Sequence, residues 1–278
     1  MRTLWIFGDS FSESWKGVLK RTESYPQVQY CKYLNKIPHH FAETFTSIIN
    51  SENGPKIEEV RNYAIGGFDN YTILQTICYH FREIKKDDIV LIGWSSIARW
   101  RFIAEENSKR ENGPWMQKNH PSFDPSWLPA SPSFGTEEES DEKMHPFIEK
   151  QTARRMCYAT LKEISDWQNL LKLVLPKDTV FWTPFSYQHY RKFYADEDWW
   201  DYKNLPFEVI DMWTEEGKAS STEVAYAYGT PERIDEATNG EIDDRHYSEK
   251  GHLSIGKRLA VILSSQNGGE YFTKKTLF

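Results

Sequence analysis

Thr3-Leu4-Trp5-Ile6-Phe7, stopped by Gly8-Asp9-Ser10, is the stretch whose reading decides the fold of this chain. From Leu4 to Phe7 its side chains are apolar, with no polar alternation, which suits a central parallel strand covered on both faces. Ile89-Val90-Leu91-Ile92 is a second run of this kind and ends at Gly93-Trp94-Ser95-Ser96. Thr179–Thr183 is a third, broken by Pro184, and residues 57–63 are a further candidate strand feeding Ala64-Ile65-Gly66-Gly67. Between these runs the spacing becomes helical. Ile73, Leu74, Ile77, Phe81 and Ile84 form one apolar face over 71–84, and Met156, Leu161, Ile164, Trp167 and Leu171 do so over 147–175. Ser248 reads as the N-cap of a last helix through Leu263 that carries Leu253, Ile255, Leu259, Val261 and Ile262. Strands alternating with helices predict the α/β class, a three-layer α/β/α sandwich around a parallel sheet. Ligands of such sheets sit beyond the carboxyl ends of the strands. Ser10, Gly67 and Ser95 all fall at predicted strand ends.

The chain has 278 residues, enough for one large domain, and we read 1–278 as a single domain. Two stretches break the alternation. Residues 107–146 hold six prolines and the acidic run Glu137-Glu138-Glu139, and residues 186–239 are dense in aromatics and acids. Both are expected to be insertions over the active-site edge of the sheet, with solvated surface the simpler reading for the acidic run. Lys and Arg total 34 against 41 Asp and Glu, a formal charge of −7 with no basic block, so no nucleic-acid partner is expected. Cys31, Cys78 and Cys157 lack metal or redox spacing, and no disulfide scaffold is expected. No apolar run approaches the ~20 residues a membrane span needs, and no basic-then-apolar leader opens the sequence. The expectation is a cytoplasmic chain with no membrane partner, and association with a virus particle fits the same features. Oligomeric state has no sequence signal.

The chemistry-bearing residues lie at opposite ends. Phe7-Gly8-Asp9-Ser10-Phe11-Ser12 puts a hydroxyl at a tight strand-to-helix junction, and such a serine becomes nucleophilic when a base removes its proton. Asp243-Asp244-Arg245-His246-Tyr247-Ser248 supplies His246 as that base. Asp243, three residues earlier, is placed to curl back and orient the imidazole, with Asp244 its close neighbour.

These blocks resemble those of the SGNH hydrolases, the GDSL-type esterases and lipases. Gly8-Asp9-Ser10 matches the family's first block, and Asp243, His246 and Gly251-His252 match its last. Asn62-Tyr63-Ala64-Ile65-Gly66-Gly67 matches the second, with Gly67 preferred over Gly66 as the amide donor. In the third block the family has Gly-x-Asn, and this chain has Gly93-Trp94-Ser95, a serine in the asparagine position. The resemblance covers residues 1–95 and 240–263 with the helix and strand between, and excludes the insertions. It implies a flavodoxin-like sheet, no metal, no organic cofactor, and ester hydrolysis through an acyl-serine. In that reading Ser10, Asp243 and His246 are catalytic, and Ser10, Gly67 and Ser95 form the oxyanion hole. Ser95 is equally suited to strand-end capping.

Asp9, Trp94, Ser96 and Arg99 are the candidate substrate contacts. Arg99 and Arg101 suit a substrate carboxylate or phosphate as well as structural ion pairs. Trp94, Trp100, Trp115, Trp127, Trp199, Trp200 and Trp213 suit sugar stacking, which points to a carbohydrate ester, or equally the anchoring of the insertions. His39 and His40 are read as surface residues, His252 as packing or surface, and Trp5, Phe7 and Trp182 as core. The competing functional class is a catalytically weak or inactive relative that binds a glycan or a protein. An acyltransferase would use the same residues.

Overall fold

The computed structural model describes residues 2–52, 54–96, 100–103, 127–130, 150–184, 208–209 and 231–266. In chain order the elements are β1 (Arg2–Phe7), α1 (Trp15–Val18), α2 (Pro26–Tyr33), α3 (Phe41–Ser51), β2 (Ile57–Asn62) and α4 (Asn70–His80), followed by β3 (Ile89–Gly93), β4 (Trp100–Ile103) and β5 (Trp127–Ala130). Then come α5 (Lys150–Val174), β6 (Thr179–Thr183), β7 (Glu208–Val209), α6 (Ile234–Ala237) and α7 (Glu249–Gln266). The main sheet runs β2-β1-β3-β6-β7 with every pair parallel. That is the flavodoxin-like strand order, in which the chain reverses its direction of travel between β1 and β3 and opens a crevice there. β4 and β5 form a separate antiparallel pair, part of it inside the stretch expected to be an insertion. The rest of 107–146 and most of 186–239 lie outside the described residues.

β1, β3 and β6 are buried at every position, as their unbroken apolar runs require, and aromatic contacts show which helix covers which face. Trp5 packs on Tyr63 at 6.0 Å and near His80 of α4 at 6.1 Å. Trp94, Phe181 and Trp167 of α5 meet on that same face, and Trp94 donates to Gln168 at 3.2 Å. On the other face Phe41 of α3 meets Trp182 edge-on at 5.9 Å and His252 of α7 at 5.8 Å. Helices therefore lie on both faces, and the sandwich has three layers.

The turn before β3 is tied to β1. Asp88 accepts from Thr3 N, Trp5 Nε1 and Lys85 N, each at 2.9 Å, and the buried Arg2–Asp178 ion pair joins β1 to the start of β6. At the carboxyl end β1 and β3 finish in glycines for a steric reason. A Cβ on Gly8 or on Gly93 would lie 2.6 Å from Ser12 Oγ, so the chain crosses the strand ends only where both lack side chains. No helix among the described residues is long and apolar enough to cross a membrane.

Candidate active site

Ser10 lies just past β1, at the reversal point of the sheet, and is 8% exposed. A compact turn holds it: Asp9 O accepts from Ser12 N at 3.0 Å and Asp9 Oδ1 from Phe11 N at 3.1 Å. His246 arrives from the far end of the chain. Its loop runs antiparallel to the residues that lead into α6 and open it, Ile234 N donating to His246 O, Asp235 N to Asp244 O and Ser248 N to Glu232 O, at 2.9, 2.9 and 3.0 Å. Ser248 then caps α7 as expected, its Oγ accepting from Gly251 N at 3.1 Å. One imidazole face packs on Phe11, ring centroids 4.5 Å apart.

His246 Nε2 lies 2.7 Å from Ser10 Oγ, joining residues 236 positions apart. The imidazole's other nitrogen corrects the sequence reading. Nδ1 is 2.5 Å from Asp244 Oδ1, and the same oxygen accepts from His246 N at 3.1 Å. Asp244 is buried, whereas Asp243 is exposed, so Asp244 and not Asp243 orients the His246 imidazole. An ionised carboxylate only accepts hydrogen bonds, so it fixes the proton on Nδ1 and leaves the Nε2 lone pair for the Ser10 hydroxyl.

The turn after β2 lies beside Ser10. Asn62 accepts from Ala64 N at 2.9 Å and donates to Ser12 O at 2.8 Å, binding the turn after β2 to the turn after β1. Gly66 N is engaged by Glu13 Oε2 at 2.8 Å. Gly67, with φ +93°, is exposed, and its amide donates to no described residue; the Ser10 amide likewise has no described acceptor. Of the two glycines, Gly67 is therefore the one with an N–H available to a ligand.

The third block differs from expectation. Ser95 Oγ donates to Asp9 Oδ2 at 2.8 Å, and Ser95 N donates to Asn70 Oδ1 at 2.7 Å. Asn70 Nδ2 in turn donates to the carbonyls of Ser95 and Ser96, both at 3.2 Å. Ser95 thus clamps Asp9 and caps the strand end, so its hydroxyl is not offered to an oxyanion. Asp9 and Ser96, at 1% and 2% exposure, serve this clamp and do not line a substrate surface. Trp94 is fully buried, a core residue and not a substrate platform. Arg99 lies outside the described residues, as do Trp115, Trp199, Trp200 and Trp213.

No protein-family model matches the chain, and no curated protein matches its sequence.

Sequence reasoning passed over Glu13 and Arg21. Glu13 is 3% exposed, yet its Oε2 takes both Gly66 N and Arg21 Nη2, the latter at 2.6 Å. Burial pushes its carboxyl above the ordinary range, and the Arg21 charge opposes that push. His40, expected at the surface, is buried; its Nδ1 caps α3 by accepting from Ala42 N at 3.2 Å. His252 packs beside it with ring centroids 4.7 Å apart, whereas His39 is exposed and pairs with Glu43 at 2.7 Å. Among the described residues no group of three or more His, Cys, Asp or Glu side chains is arranged to hold a metal ion.

Proposed function

We propose that this protein is a serine hydrolase of the SGNH type that cleaves a carboxylic ester, an O-acetyl or other short acyl group on a carbohydrate being the substrate class its sequence favours. The observation that carries the reading is the Ser10–His246–Asp244 relay, assembled from distant segments at the crevice of the sheet. Ser10 Oγ attacks the ester carbonyl carbon as its proton passes to His246 Nε2, and Asp244 stabilises the resulting imidazolium. The amides of Ser10 and Gly67 receive the oxyanion. His246 then protonates the leaving alcohol. A water, deprotonated by the same nitrogen, releases the acyl group, and a sugar hydroxyl in place of that water would make the reaction an acyl transfer. The carbohydrate part of the proposal rests on the aromatic-rich composition of the insertions.

Hydrolysis of p-nitrophenyl acetate and butyrate by the protein and by Ser10→Ala tests the reading. Turnover is expected to fall at least ~10³-fold in the variant, and a fluorophosphonate is expected to label Ser10 alone. A second reading, a glycan- or protein-binding relative without catalysis, is favoured by the engagement of Ser95 Oγ with Asp9. Absence of both turnover and labelling would replace the first reading with the second.

A further inference from the structure

The site has two amides available for an oxyanion and no side-chain donor in the third block, because Ser95 Oγ holds Asp9 and both N–H groups of the Asn70 amide are directed at the Ser95 and Ser96 carbonyls. A cation lies nearby. A Cβ built on Gly66 would be 2.7 Å from Arg21 Nη2, 3.0 Å from Glu13 Oε2 and 3.2 Å from Ser10 Cβ, so the guanidinium and the nucleophile flank the same side of this glycine. The Arg21 side chain is 16% exposed. Among the described residues its only hydrogen-bond acceptor is Glu13 Oε2, and its buried Nε has no partner. The position is nevertheless fixed from two directions, by the Glu13 carboxylate and by the Tyr25 ring, which lies 4.6 Å from the guanidinium carbon. An arginine held by one corner of its fork keeps its remaining N–H groups for a second anion, and a shielded site strengthens that attraction.

We propose that Arg21 supplies the third oxyanion donor of this site, with Glu13 as its positioning residue. The proposal rests on the hydrolase reading above. Negative charge developing on the carbonyl oxygen after attack by Ser10 would be met by the two amides and by the guanidinium, whose charge takes the place of the side-chain amide absent from the third block. Glu13 acts through both partners: one oxygen aims Arg21 and pins the Gly66 amide, which sets the plane of the turn that presents Gly67 N–H. A Cβ on Gly66 would crowd both the Arg21 guanidinium and Ser10 Cβ.

The test is kcat and KM for p-nitrophenyl acetate, a neutral ester, measured on the full chain and on Arg21→Met, Arg21→Lys and Glu13→Gln. Arg21→Met is expected to lower kcat about 10²-fold while KM stays within about threefold, with Arg21→Lys recovering part of the loss and Glu13→Gln falling between the protein and Arg21→Met. A kcat within about twofold of the parent in Arg21→Met, or a loss confined to KM, would overturn the proposal, the latter assigning Arg21 to ground-state binding. If Arg21→Met does not fold by circular dichroism, Arg21→Gln, which removes the charge and keeps a polar group in place of Nε, decides by the same two criteria. Absence of Ser10-dependent turnover in the parent would overturn the hydrolase reading itself; parent turnover with an unaffected Arg21 variant would overturn this inference alone.

Discussion

Asp244 Oδ1 accepts from both the backbone N and the ring Nδ1 of His246, and the adjacent Asp243 is exposed, so the two acids can be separated by substitution. Asp244→Asn keeps the shape but admits the wrong imidazole tautomer, and turnover of p-nitrophenyl acetate is expected to fall about 10³–10⁴-fold. Asp243→Asn is expected to stay within about twofold, as surface substitutions away from a site do. A greater loss in Asp243→Asn than in Asp244→Asn would reverse the assignment. Ser10 and His246 were legible in the sequence because each sits in a short motif at an element boundary. The acid was not, because the identity of the partner depends on an Asx-type turn that closes over two residues and not three, and local side-chain-to-backbone bonding of that kind has several solutions for one sequence. Glu13, Arg21 and Asn70 left no such signal. Glu13 matters through a glycine 53 positions away, and Asn70 through carbonyls 25 and 26 positions away.

Among the elements, β1, β3 and β6 were legible because burial on both faces leaves an apolar run, and Thr179–Thr183 forms β6 with the bounds expected, whereas β4, β5 and β7 were not read. α5 and α7 were legible from their periodic faces. α2 was not, since its buried side includes Gln27; α3 was passed over although Phe41, Phe45 and Ile49 fall at helical spacing and form its buried face. α3 is nevertheless the helix on which α7 docks. The contact depends on Gly256, where a Cβ would lie 2.6 Å from Phe41 O and 2.7 Å from Thr44 Cβ. Gly256→Ala must push the two helices apart or distort the start of α3. Overpacking of this kind costs about 1–3 kcal/mol, to be read as a lower urea midpoint at unchanged slope. An unchanged midpoint would mean that the helix interface yields without cost.

At the scale of the whole molecule, the α3–α7 layer encloses two imidazoles that folding holds neutral. Burial brings His40 down from the ordinary 6.5 to about 3 and His252 well below its usual value, with His39 adding to the cost of charging His40, and His40 and His246 to that of charging His252. A histidine whose folded value is depressed binds protons more readily in the unfolded chain. The stability it contributes is full above pH 6.5 and is lost as pH falls from there toward about 3. Each histidine then removes about 1 kcal/mol per pH unit across that window. Urea unfolding at pH 6.5 and 5.5 is expected to show the loss, and His40→Asn, which keeps an acceptor for the α3 cap, is expected to show about half of it. Equal losses in parent and variant would remove His40 from this account. The wide separation of Ser10 and His246 has a further consequence, for biosynthesis. His246 leaves the ribosome more than two hundred residues after Ser10, so a nascent or prematurely released chain holds Ser10 without the imidazole that meets it in the folded protein. On the proposed hydrolase reading, esterase activity would thus serve as a built-in reporter that translation has passed residue 246 and that the two distant segments have met.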